Sequence, residues 1–192
     1  MARRMILASA SPRRKEILEG AGFDFEIITS DADETIGRAD PAETGMTLSY
    51  RKAKAVYETL AGEENILVIG ADTLVYVDED RLGKPRNKKE EYEFLKKMSG
   101  RSHDVITGVT LLYDVDGVMT RKSFAQITKV NVASLSDEEM DEYAADDEWM
   151  DKAGGYAIQG KFAKFITGIE GEYASVMGFP IAEFYKVLKT LV

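Results

Sequence analysis

Met5-Ile6-Leu7-Ala8-Ser9-Ala10-Ser11-Pro12-Arg13-Arg14-Lys15-Glu16-Ile17-Leu18 is the stretch from which the fold is read. Met5 to Ser9 has the length and apolar character of a short buried strand. Ser11 suits a helix N-cap, and Pro12 suits the first helical position, where a missing N–H costs nothing and the ring presets φ. Gly20 and Gly22 then close the helix. A strand that passes through a tight turn into a helix is the opening unit of an α/β fold. The helix start also carries about half a positive charge on its unpaired N–H groups, to which Arg13 and Arg14 add fork-shaped donors that match phosphate oxygens. Such an end can grip a small anion. An ordinary capped helix with solvated arginines fits the same residues equally well, but cations in a first helical turn oppose the dipole and call for compensation.

Working outward, Phe25 to Thr29 reads as a second strand leading into the acidic loop Asp31-Ala32-Asp33-Glu34. From Thr44 to Leu60, the spacing of Leu48, Ala55, Val56, Thr59 and Leu60 predicts an amphipathic helix, with Lys52 on its inward stripe. Ile66 to Ala71 is a continuous apolar strand that runs out at Asp72-Thr73, and Leu74 to Val77 continues extended. Unbroken apolar strands imply a sheet covered on both faces. Asn87 can cap a helix to Met98, closed by Ser99-Gly100. Val105 to Tyr113 and Val118 to Ala133 are long extended runs meeting at Asp116-Gly117, a strong hairpin signal that adds an antiparallel part. Ser136 and Glu139 have the spacing of a capping box for a helix to Ala145, and Pro180 can start a terminal helix ending near Leu191. The prediction is an α/β fold with a mixed sheet and a cleft, residues 1–192 forming a single domain.

Composition narrows the chemistry. A chain of 192 residues with 44% hydrophobic residues is long enough to bury roughly 70% of its unfolded surface. No apolar run reaches the roughly 18 residues of a membrane span, and Ser9 and Pro12 interrupt the start too early for a secretory segment, so a soluble cytoplasmic protein is expected. The sequence has no cysteine and one histidine, His103. Thiolate chemistry and multi-histidine metal sites are therefore excluded, and a serine–histidine triad is disfavoured. The net charge of −9 repels a phosphate backbone, so nucleic-acid polymers are not expected partners. Small anions remain open, because screening confines fields to about 8–10 Å and local basic clusters then matter more than net charge. There is neither a Walker pattern nor a Gly-x-Gly-x-x-Gly turn.

Individual residues carry paired readings. Asp72, at the expected end of an apolar strand, stands where open α/β sheets bind ligands. It could hold a magnesium ion or orient water, or it could be a turn residue. Glu34 could be a second metal ligand or part of a solvated acidic loop. Lys52 on an inward stripe needs a partner, which a phosphate would supply, unless it snorkels past Leu48. Lys84, before Pro85, is a point charge for phosphates or a loop lysine. His103 reads as structural or surface.

Taken together, the blocks resemble a known family. The string Leu7-Ala8-Ser9-Ala10-Ser11-Pro12-Arg13-Arg14, Asp33-Glu34, Lys52-Ala53, Gly70-Ala71-Asp72-Thr73, Gly83-Lys84-Pro85, Ser99-Gly100-Arg101 with His103, Lys152-Ala153-Gly154 and Ile169-Glu170-Gly171 is similar to the Maf family of nucleoside triphosphate pyrophosphatases. The resemblance runs from about residue 5 to 190. Ala157-Ile158-Gln159-Gly160, with Tyr173 and Gly178-Phe179-Pro180, resembles the subgroup acting on dTTP and UTP more than the one acting on 7-methyl-GTP. It implies an elongated mixed sheet with helices in two lobes around a central cleft, related to inosine triphosphate pyrophosphatases, and a homodimer. It further implies hydrolysis of dTTP and UTP, or modified pyrimidine nucleotides, to the monophosphate and pyrophosphate as nucleotide-pool house-cleaning. A divalent metal, magnesium or manganese, would serve it, with no organic cofactor. By resemblance, Asp72, Lys52, Lys84 and Arg14 are catalytic, Ser9, Ser11, Arg13, Thr73 and Gln159 bind substrate, and Asp72 and Glu34 hold metal. A nucleotide-binding regulator of cell division or septum formation and a 7-methyl-GTP pyrophosphatase stand as alternatives.

Overall fold

A computed structural model describes residues 3–29, 31–35 and 40–191. In chain order the elements are β1 (Arg4–Leu7), α1 (Pro12–Gly20), β2 (Glu26–Ile27), α2 (Pro41–Thr59), β3 (Ile66–Val77), β4 (Asp80–Leu82) and α3 (Lys88–Met98). There follow β5 (Ser102–Val115), β6 (Val118–Val132), α4 (Asp137–Ala145), β7 (Ile166–Glu170), α5 (Tyr173–Met177) and α6 (Ile181–Leu188), with short 3-10 turns at Ala153–Gly155, Lys161–Phe165 and Lys189–Leu191. The strands join in the order β2-β1-β3-β5-β6-β7, and β4 pairs with β3. β1 lies parallel to β2 and β3, in the register Leu7 to Ile27 and Leu7 to Ile69, whereas β4 and β7 pair antiparallel with β3 and β6. The mixed α/β architecture is therefore the one expected. Among the described residues, no helix is long and apolar enough to cross a membrane.

The local signals worked where the physics is local. Asn87 accepts from the Glu90 N–H at 3.0 Å, and Ser136 and Glu139 make both halves of the capping box. Asp116 and Gly117 both take positive φ, 53° and 79°, as a two-residue hairpin turn requires. Helix α2 starts earlier than predicted, because Asp40 caps it through the Ala42 and Glu43 N–H groups and Pro41 opens it. One expectation is corrected: β3 does not run out at Asp72 but continues to Val77. A carboxylate inside an apolar run looks like a strand end, yet a strand tolerates it where a neighbouring element supplies a cation.

The chain gathers into two compact units. Unit 1 comprises Met1–Asp72, Thr107–Gln126 and Gly178–Val192. Strand alternation divides its core by face. Leu7, Leu67, Ile69, Ala71, Val109 and Leu111 meet Leu18 of α1 and Phe184 of α6. On the other face Ile6, Ala8, Ile66 and Val68 meet Ala53 and Val56 of α2. Helix α2 lies directly on the strands there. A Cβ on Gly70 would come within 2.1 Å of the Ser49 carbonyl oxygen, and one on Gly108 within 2.1 Å of the Gly45 carbonyl carbon.

Unit 2 comprises Thr73–Ile106 and Ile127–Met177. Its core sets Val75, Val77, Val105, Val130 and Val132 of the strands against Leu95 and Met98 of α3, Met140 and Tyr143 of α4, and Phe162 and Phe165.

Candidate functional site

Within unit 1, Asp72 belongs by alternation to the same face of β3 as Val68 and Gly70, the face that α2 covers. Because Gly70 lets α2 approach the strand so closely, Lys52 reaches Asp72: its Nζ donates to Oδ1 at 2.5 Å. The same ammonium lies 2.7 Å from Glu34 Oε1. Lys52 thus gathers two carboxylates from separate segments of the chain. The side chains of Lys52 and Asp72 are only 17% and 11% exposed, whereas that of Glu34 is 61% exposed. The partner required by an inward lysine is thus supplied by the protein itself.

The loop bearing Glu34 is tied to the same helix. Arg51, the residue before Lys52, donates from Nη1 to the carbonyl of Asp33 at 3.2 Å and to that of Thr35 at 2.5 Å. The Thr35 N–H in turn donates to Asp33 Oδ1 at 2.8 Å. Hydrogen bonds from Thr35 hold the Asp33 carboxyl below its ordinary range, and the Arg51 charge adds to the effect. Arg51 belongs to none of the blocks or spacings read from the sequence. Its bonds go to backbone carbonyls, which no side-chain pattern reveals.

At the other edge of the cluster, α1 begins without acidic residues in its first turn, and its N-cap Ser11 makes no side-chain capping bond. The Ser11 N–H instead donates to Ser9 Oγ at 3.2 Å. Arg14 is buried. It donates from Nε to the Gly178 carbonyl at 2.9 Å and from Nη1 to Ser9 Oγ at 3.0 Å. Burial pulls the Arg14 guanidinium below its ordinary value; Asp72 and Glu34 oppose that shift, and neighbouring Arg13 adds to it. These couplings place Arg13, Arg14, Asp72 and Glu34 in one electrostatic neighbourhood, with Arg13 half-buried at its rim. The cation in the first helical turn is compensated by carbonyl and carboxylate oxygens.

In unit 1, Lys52 therefore joins Asp72 and Glu34, the charges of Asp72, Glu34 and Arg13 all act on Arg14, and Ser9 links Arg14 to Ser11. Three cations against two carboxylates favour a polyanion. The carboxylates offer hard oxygen donors suited to a divalent cation. Among the described residues no group of three or more His, Cys, Asp or Glu side chains could hold a metal. Asp72 and Glu34 are two such donors, which fits a hard divalent cation that takes one or two carboxylates and draws its other ligands from phosphate and water.

Thr73, Lys84 and Gln159 belong to unit 2. Thr73 is half-buried next to Asp72 in β3, and Lys84 and Gln159 are exposed. Lys84 follows Gly83, whose carbonyl accepts from the Gly154 N–H at 2.9 Å. Of the two readings of His103, structural and surface, the structure favours the first: it is buried, its Nε2 is 2.7 Å from the Tyr156 hydroxyl, and burial pulls its pKa down to about 4.

A family model described as Maf-like protein matches residues 4–191. A dTTP/UTP pyrophosphatase from Bacillus cytotoxicus is 46% identical over 188 residues, covering 97% of this chain and 95% of that protein. Another with the same name, from Bacillus mycoides, is 45% identical over the same shares of both chains. Among solved structures, a HAM1 protein from Coxiella burnetii matches with a TM-score of 0.42 and 14% identity, covering 69% of this chain and 74% of that one.

Proposed function

This chain belongs to the Maf-like protein family, and from that premise we propose that it hydrolyses dTTP and UTP to the monophosphate and pyrophosphate, acting as a hydrolase on an acid anhydride. Relatives named for that activity, at 45–46% identity over 97% of the chain, support the reaction class. The single structural observation that carries the reading is Lys52 holding Asp72 and Glu34 together beside Arg14.

Hydrolysis between the α- and β-phosphates needs a water held in line, charge neutralised on the triphosphate, and stabilisation of departing pyrophosphate. Asp72 orients that water and accepts its proton. Lys52 holds the Asp72 carboxylate in place. Arg13, Arg14 and Lys84 balance phosphate charge, the arginines through paired donors and Lys84 as a point charge. Ser9 and Ser11 donate to phosphate oxygens, while Thr73 and Gln159 select the base. Asp72 and Glu34 would hold the divalent metal, with magnesium first and manganese second, and it would supply Lewis-acid neutralisation of phosphate oxygens. The 1–192 chain acts as one catalytic domain, in the cytoplasm and as a homodimer.

The deciding experiment measures pyrophosphate release by purified protein with magnesium across dTTP, UTP, CTP, 7-methyl-GTP and modified pyrimidine triphosphates. Multiple turnovers on dTTP and UTP are expected. Nucleotide binding without product would instead favour a regulatory sensor, and preference for 7-methyl-GTP would overturn the pyrimidine assignment. Glu34→Gln is expected to raise the magnesium concentration for half-maximal rate about tenfold, within the range typical of groups that tune a metal site. Because its side chain is 61% exposed, the melting temperature should stay unchanged. A wild-type magnesium dependence would remove Glu34 from the metal site.

A further inference from the structure

Glu91 lies on α3 with no solvent exposure. Neither carboxylate oxygen has a hydrogen-bond partner among the described residues. Its place is made by Gly155: a Cβ there would sit 1.8 Å from Glu91 Oε2 and 2.7 Å from the carboxyl carbon. Gly155 ends the Ala153–Gly155 turn, in which Gly154 and Gly155 take φ of 73° and 76°. That turn touches two segments with proposed roles. The Gly154 N–H donates to the carbonyl of Gly83, the residue before Lys84, and the chain after Gly155 leads to Gln159. Glu91 acts electrostatically on Tyr143 of α4, as do Asp146 and Glu148; the Tyr143 hydroxyl donates to the Gly155 carbonyl at 3.4 Å, and Tyr156, the residue after Gly155, is buried and pairs with His103. Lys152 directs its ammonium to the Met150 carbonyl.

We propose that Glu91 is a positioning residue for the reaction assigned above: as a neutral acid it seats the Ala153–Gly155 turn, and its ionisation unseats that turn and loosens Lys84 and Gln159. An isolated carboxylate in an apolar interior is expensive, so such a group stays protonated until the solution forces it to ionise. Burial pushes its pKa up to about 8. When Glu91 ionises, the new charge is relieved only by moving away from the turn or by admitting water to it.

The test combines a kinetic and a spectroscopic readout. If only the protonated form seats the turn, KM for dTTP should rise about tenfold from pH 7 to pH 9 with kcat little changed, because the competent fraction falls about tenfold per pH unit above the pKa. In Glu91→Gln that rise should vanish; ionisation of the base itself is common to both proteins. The same alkaline rise in the variant overturns the proposal. The emission of Trp149, the only tryptophan and part of the same core, is followed without nucleotide. It should shift with a midpoint near pH 8 in wild type and stay flat in the variant. This arm stands even if no nucleotide is hydrolysed, so failure of the assigned reaction is distinguishable from failure of the Glu91 role. Should Glu91→Gln not fold, Glu91→Ala carries both arms. Absence of any wild-type emission transition between pH 7 and pH 9 overturns the proposal by itself.

Discussion

Asp72→Asn is expected to lower turnover by about three powers of ten, the range in which removal of a general base acts. Asparagine keeps the shape of the side chain but can neither take a proton nor offer a charged oxygen. The cations beside it are untouched, so nucleotide affinity should change little. A non-hydrolysable dTTP analogue is expected to bind within about threefold of wild type, the pattern of a group acting in the transition state rather than in ground-state binding. Asp72 is buried, so the substitution also has a structural cost. Lys52 loses its better-shielded partner and keeps exposed Glu34, and removing one member of a largely buried pair leaves an undercompensated charge. A stability loss of about 1–3 kcal/mol should follow. Turnover is therefore compared at a temperature where both proteins are folded. Near-normal turnover there would take Asp72 out of the chemistry.

Gly70→Ala is expected to cost at least as much stability, although Gly70 has no chemistry. Added as a methyl, its Cβ would lie 2.1 Å from the Ser49 carbonyl oxygen, 2.8 Å from the Ala53 nitrogen and 2.9 Å from the Ala53 Cβ. Two of these are backbone atoms of α2, which no rotamer change can move. Gly70 does not adopt a positive φ, so alanine meets no conformational penalty and the effect isolates close approach. Helix α2 must lift, and Lys52 with it. A loss of about 3 kcal/mol, the upper range for overpacking a tight interior, should move the urea midpoint by more than about 1 M. Turnover of the folded fraction should fall at least about tenfold, because a displacement near 1 Å at a positioning residue is enough for such losses. A variant with the wild-type midpoint and wild-type rate would show that the α2–β3 contact does not set the Lys52–Asp72 pair.

The two substitutions also divide what could be read in the chain from what could not. Asn87, Ser136 and Pro12 were legible as helix starts, and Asp116-Gly117 as a hairpin, because caps and turns are satisfied by neighbours a few residues away. The family blocks likewise named Asp72, Lys52, Arg14 and Glu34 together. The early start of α2 was also encoded, in Asp40-Pro41, although the apolar stripe that drew attention begins later.

Tertiary structure decided the rest. Asp72 looked like the end of a strand because periodicity cannot tell a carboxylate at a boundary from one that meets a lysine across a helix–sheet contact. Arg14 found its oxygen on Gly178, 164 residues along the chain. Glu91 showed in sequence as one more charge on a helix, and only the fold buries it against Gly155 with no hydrogen-bond partner among the described residues. By itself the sequence determined which chemical groups and which local elements are present, since propensity, capping and turns act over a few bonds. The fold decided which of those groups meet and which are stripped of water, because ion pairing and desolvation depend on distance in space, and the order of residues along the chain does not report it.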